Sequence, residues 1–191
     1  MMPNNAISIT PISSPFLPPD DERSGPDEDF EDGGVAIQDA SQGLTGHRWR
    51  CYTDQTSVFL ERDGASPVTV FTQSGIQDIA FAFDQNMRHN VAYQLSDGNI
   101  YLRWFDPTVP GYVVTNFGPG KHPRMCLDDK RASQIASSDV LLAYMRDGSL
   151  LYRMQRDRYL VEYVAAFGLA SSLRLRNIGM GLNWRLQFEL A

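Results

Sequence analysis

This sequence predicts an all-β fold: a propeller-like array of short antiparallel strands, about two complete and two partial blade-like repeats, with an extended N-terminal arm. Three observations carry the prediction. A unit recurs, Val91 to Gly118 reading VAYQLSDGNIYLRWFDPTVPGYVVTNFG and Leu142 to Gly168 reading LAYMRDGSLLYRMQRDRYLVEYVAAFG. Its landmarks keep step at 50 residues: Asp97-Gly98 with Asp147-Gly148, Arg103 with Arg153, and Phe117-Gly118 with Phe167-Gly168. Such a period, built from short strands, marks units that need neighbours to bury their faces. The second observation is texture, since from His47 onward β-branched and aromatic residues alternate with Gly, Asp, Asn and Pro. The third is that residues 1–34 hold the first six prolines of the chain and eight of its 23 acidic residues. They cannot bury enough apolar surface to order alone and read as an extended Pro-rich acidic arm, leaving 35–191 as the β domain.

In chain order, the expected strands are Trp49 to Thr53, Ser57 to Glu61, Val68 to Thr72, Asp78 to Asp84, Asn90 to Leu95, Asn99 to Phe105 and Tyr112 to Phe117. Then come Arg124 to Asp128, Val140 to Met145, Ser149 to Met154, Leu160 to Ala165, Leu173 to Asn177 and Trp184 to Leu190. Asp97-Gly98 and Asp147-Gly148 supply the positive φ of two-residue hairpin turns, so each flanking pair is antiparallel. On the strand Asn99 to Phe105, alternation puts Ile100, Leu102 and Trp104 on one face and Tyr101, Arg103 and Phe105 on the other. A looser copy comes first, with Val58-Phe59-Leu60 standing for Ile100-Tyr101-Leu102 and Phe71 for Phe117. Phe71, Phe117 and Phe167 are each followed eight residues on by the middle of a strand, at Ile79, Met125 and Leu175. The array therefore starts partway through one unit, runs through two complete ones and stops partway through a fourth. Units cut out of phase lock a closed ring or leave edges for other subunits to pair.

The net charge of -6 lies in the arm, and the body holds 15 acidic and 16 basic residues. That near-neutral body argues against nucleic acid as its main ligand, which needs a concentrated basic face. No run of 18 apolar residues suggests a membrane span, and the N-terminus has neither the basic start nor the apolar core of a secretory signal. Cys51 and Cys126 lack CxxC spacing and read as reduced packing residues. His47, His89 and His122 are isolated, so no metal site and no cofactor is expected. Asp84, Asp106, Asp128 and Asp129 sit at strand ends, where turn capping competes with acid-base work on a sugar. With no nucleotide-binding or nucleophile-elbow motif, no catalytic residue is assigned and the expectation is a non-enzyme. Arg interleaved with aromatics, as in Arg103-Trp104-Phe105, reads first as an interface and second as a stacking shelf for sugar rings.

The segments VAYQLSDGNIYLRWFD and RLRNIGMGLNWRLQFEL resemble strand pairs in tail proteins of tailed bacteriophages, whose propeller-like domains with short Asp-Gly hairpins form the nozzle or hub of short tails. The resemblance covers residues 47–191. It implies a virion structural protein of the tail nozzle, hub or head-to-tail region, made in the host cytoplasm and assembled as a cyclic homo-oligomer such as a hexamer. Other tail proteins would be its partners and DNA only a passing cargo. The expected contact residues are Ile7, Ile9, Phe16 and Leu17 in the arm, and Arg103, Arg153, Arg158 and Tyr159 in the body. The alternative is a carbohydrate-binding propeller module using exposed aromatics such as Trp104 or Tyr112 for receptor recognition.

Overall fold

A computed structural model describes residues 8–10, 49–62, 64–128, 138–180 and 186–191. Strand β1 is Ser8–Thr10, followed by β2 Trp49–Thr53, β3 Ser57–Arg62, β4 Val68–Thr72, β5 Ile76–Phe83, β6 His89–Leu95 and β7 Asn99–Phe105. The series continues with β8 Tyr112–Pro119, β9 Lys121–Leu127, β10 Val140–Arg146, β11 Ser149–Met154, β12 Tyr163–Ala166, β13 Leu175–Met180 and β14 Leu186–Leu190. A single 3-10 turn, Gln155–Asp157, is the only helical element among the described residues.

The strands form four sheets in chain order: β2-β3-β4, β5-β6-β7-β8, β9-β10-β11-β12, and a fourth of β13 and β14 joined by β1. Within each sheet consecutive strands pair antiparallel, while β1 lies parallel to β14. The opening strands of successive sheets pack on one another, β2 on β5, β5 on β9 and β9 on β13. The described residues close no barrel and no propeller ring. Of the arm residues expected at contacts, Ile9 lies in β1 in backbone register with Phe188. Ile7, Phe16 and Leu17 lie outside the described residues, as does Asp129.

Why these residues make these sheets is visible in burial. β10 is apolar and buried from Val140 to Met145, because its alternate side chains serve two cores. Leu142 and Tyr144 join a cluster shared with the first two sheets, and Leu141, Ala143 and Met145 join another with Leu175, Ile178 and Phe188 of the fourth. β7 alternates as expected, with Ile100, Leu102 and Trp104 buried. Cys51 and Cys126 are buried free thiols, one in each cluster.

The two Asp-Gly hairpins differ. At Asp147-Gly148 both residues have positive φ (49° and 69°), and Arg146 pairs with Ser149 across a two-residue turn. At Asp97-Gly98 only Gly98 is positive, at 80°, and its N–H donates to Leu95 O at 2.9 Å. That is a three-residue loop through Ser96, a tight turn followed by a left-handed glycine, in place of the expected two-residue turn. Gly120, which links the second and third sheets, is needed for a close approach: a Cβ there would meet Ile100 Cγ1 at 2.7 Å.

Candidate functional site

The recurring unit places its marked side chains at the seams between sheets. In the first seam, Phe71 from β4 meets Tyr93 on β6, with ring centroids 5.4 Å apart, and the Arg103 guanidinium on β7 lies 5.3 Å from the same ring. In the second, Phe117 from β8 meets Tyr144 on β10 at 6.5 Å, and the Arg153 guanidinium on β11 lies 4.6 Å from it. The ring that closes one sheet thus docks on a tyrosine from the second strand and an arginine from the third strand of the next. Dispersion, ring electrostatics and cation–π attraction act together there.

Around the shared pattern the polar partners differ. Arg103 Nη1 lies 2.7 Å from His89 Nε2, and its guanidinium stacks 4.1 Å from the Tyr112 centroid. A guanidinium can only donate, so Nε2 accepts and the neutral ring keeps its proton on Nδ1, which reaches Tyr112 Oη at 3.1 Å. Burial, then the Arg103 charge, lowers the His89 pKa to about 4. Arg153 instead meets a carboxylate. It donates to Glu162 Oε2 at 2.7 Å, to Tyr144 Oη at 2.9 Å and to Tyr159 O at 2.8 Å. Arg146 donates to the same Glu162 at 3.0 Å and to Phe117 O at 2.7 Å. Burial disfavours the Glu162 anion, but hydrogen bonds from Tyr144 and Arg153 and the two arginine charges hold its pKa below the usual carboxylate value. Burial, then the bond to Glu162, pushes Tyr144 up to about 12.

Of the other residues expected at contacts, Tyr159 is fully buried and packs edge-on to Trp104, with its hydroxyl toward Asn90. It belongs to the seam between the second and third sheets and to no surface, because consecutive left-handed residues Arg158 and Tyr159 (φ 52° and 58°) turn the ring inward. Arg158 pairs with Asp106 and donates to Thr108 across the same seam, its side chain 48% exposed. Trp104 is buried with its indole N–H on Thr115, so it offers no shelf to a sugar.

The strand-end aspartates act on local structure. Asp84 accepts from the Asn86 and Arg88 N–H groups, and Asp106 from the Thr108 N–H and hydroxyl. Asp128 and Asp139 share Arg156, at 3.0 and 2.7 Å. Among the described residues, no three of His, Cys, Asp and Glu stand together as a metal site.

A cleft of about 1040 Å³ opens where β5, β9 and β13 begin and the Gly98 and Gly148 turns meet them. Beside it, the buried Asp78 carboxylate accepts from Arg124 at 3.0 Å and from its neighbour's N–H at 2.8 Å, and His122 stands 3.5 Å away. Arg124 also donates to Arg176 O at 2.8 Å, so one guanidinium ties the opening strands of three sheets. Sequence reading missed this pair: Asp78 and Arg124 stand one residue before the aligned Ile79 and Met125, at equivalent places in the repeat, but only the packing of β5 on β9 brings the opposite charges together. The rest of the lining mixes Gln77, Gln94, Ser171 and Asn177 with both signs of charge, a wall without an aromatic platform. Comparison of the chain with protein-family models, with curated proteins and with solved structures finds no match.

Proposed function

We propose that this chain is a non-enzymatic structural protein of a bacteriophage tail, in the nozzle, hub or head-to-tail region, whose sheets are blades of a propeller-like array completed by assembly. The observation that carries the assembly reading is that, among the described residues, four sheets form an open row in which opening strands pack in series from β2 to β13 while β4, β8 and β12 remain sheet edges. Open edges are templates for pairing with other chains. Repetition of one contact pattern around a closed rotational symmetry gives a ring, with the arm residues Ile7, Phe16 and Leu17 reaching a neighbour or another tail protein. The phage-tail assignment itself rests on the sequence resemblance.

In this reading the work is mechanical: the ring holds adjoining tail proteins in line and lets DNA pass without reading it. Size-exclusion chromatography with light scattering on the full chain, alone and with purified tail components, tests it. The expected result is a discrete cyclic oligomer that binds at least one tail component. A strict monomer at micromolar concentration that also ignores every tail component overturns it.

A further inference from the structure

We propose that copies of this chain associate head to tail, with Phe167 of one copy docking against Tyr52 and Arg50 on the first sheet of the next. The inference rests on the assembly reading above and names its contact. Phe71 and Phe117 are packed into seams, whereas Phe167, at the same place in the repeat, is 83% exposed. In the fourth sheet the third strand is the parallel β1, Ser8–Thr10, whose sequence holds no arginine to match Arg103 of β7 and Arg153 of β11.

Exposed valines do not explain the difference. Val68, Val114 and Val164 each precede the closing ring by three residues and are all exposed, so that feature belongs to every edge strand. The uncovered ring belongs to the third sheet alone.

The complementary half stands on the first sheet. Tyr52 faces Phe59 across the β2–β3 ladder as Tyr93 faces Tyr101 across β6–β7, which makes Tyr52 the counterpart of the seam tyrosines. The stacking repeats too, with centroids 5.3 Å apart for Tyr52 and Phe59 and 5.6 Å for Tyr93 and Tyr101. At the seam-arginine position this sheet carries Glu61, but it supplies a guanidinium from β2 instead, with Arg50 lying 4.9 Å from the Tyr52 centroid. Among the described residues no sheet precedes this one, so Tyr52 has no closing Phe. One copy therefore presents the ring and the next presents the tyrosine and cation, so that the side-chain types paired twice within each chain meet between chains. Such an interface joins different surfaces and gives a ring when its rotation closes.

Cysteine cross-linking of the full chain tests the pairing, because the native Cys51 and Cys126 are buried. Under mild oxidation, a mixture of Tyr52→Cys and Phe167→Cys variants is expected to give a disulfide-linked dimer that neither gives alone. No such dimer in the mixture overturns the proposal. Phe167→Glu alters an exposed side chain, so it is expected to keep the wild-type circular dichroism spectrum while raising the dissociation constant about tenfold or more. If Phe167→Glu assembles like wild type, this contact is wrong while the assembly reading stands. If wild type never self-associates, this proposal falls, and the assembly reading falls with it when the chain also ignores every tail component.

Discussion

Arg103 and Arg153 occupy the same place in the repeat, yet replacing each with Met is expected to have unequal effects. Arg153 holds a carboxylate at 2.7 Å, a hydroxyl and a backbone carbonyl, with its side chain 12% exposed. Hydrogen bonds involving a charged group contribute about 1.5–3 kcal/mol, and stripping one partner from a buried ion pair costs about 3–5. Glu162 keeps Arg146 and is 27% exposed, which screens part of that loss. We therefore expect Arg153→Met to destabilise the fold by about 3 kcal/mol. Arg103 pairs with a neutral imidazole and two rings, and its own burial opposes the charge. Removing it relieves that desolvation, so Arg103→Met is expected to cost only about 1 kcal/mol. Urea unfolding of both variants measures the difference as a shift in midpoint at unchanged slope. Equal losses, or a larger one for Arg103→Met, would refute the assignment of the seam energy to Glu162.

Three further outcomes follow from the same geometry. His89 has a folded pKa of about 4 against an ordinary 6.5, so the unfolded chain binds the proton more readily; its contribution is present above pH 6.5 and is lost as pH falls toward 4. After discounting for partial solvent screening, the loss is about 1–2 kcal/mol, and a urea series across that window should show a slope that His89→Asn flattens. Gly148→Ala combines a positive φ with a Cβ only 2.8 Å from Leu169 O, whereas Gly98→Ala meets nothing within 4 Å; melting curves should show a loss of about 1 kcal/mol at Gly98 and clearly more at Gly148. Asp78→Ala leaves Arg124 buried without its carboxylate and should cost about 3–5 kcal/mol, while Asp78→Ala combined with Arg124→Met should recover part of it in a double-mutant cycle.

Most strands were legible because a half-buried strand writes its alternation into the sequence, as β7 does. Two of the displaced boundaries have identifiable causes. β9 starts at Lys121, ahead of the expected Arg124, and carries Pro123 within it. The proline is accommodated in a bulge, where Tyr144 alone stands opposite His122 and Pro123 between two paired positions and His122 takes a φ of 55°. β12 starts at Tyr163 rather than Leu160, since the chain first makes the 3-10 turn and two left-handed non-glycine residues, for which no local residue gives warning. The hairpins differ by one residue that the sequence did display: Ser96 has no counterpart between Tyr144 and Asp147. The seam was half legible. Arg103, Arg153, Phe117 and Phe167 stood out by their spacing, but that each arginine meets the closing ring of the preceding sheet follows only from packing between sheets.

Burial falls across the second and third sheets in the same direction, and this links the fold to its proposed use. β5 is buried at almost every position and β9 from Pro123 onward, whereas β8 and β12 keep alternate positions open. A sheet buried at its first strand and exposed at its fourth contributes one edge to a common core and offers the other outward. A residue in an opening strand therefore meets neighbouring sheets, which is why Asp78 and Arg124 can be polar there only as a pair satisfied across three of them. Residues on a closing strand are free to vary unless the next sheet uses them. Phe71 and Phe117 are used in this way, so an equivalent Phe167 left in water is the position where the pattern departs from its own logic. A bare aromatic ring at the end of an edge strand carries a solvation cost and an aggregation hazard, and both are removed when the ring finds the tyrosine and guanidinium that its two counterparts already have.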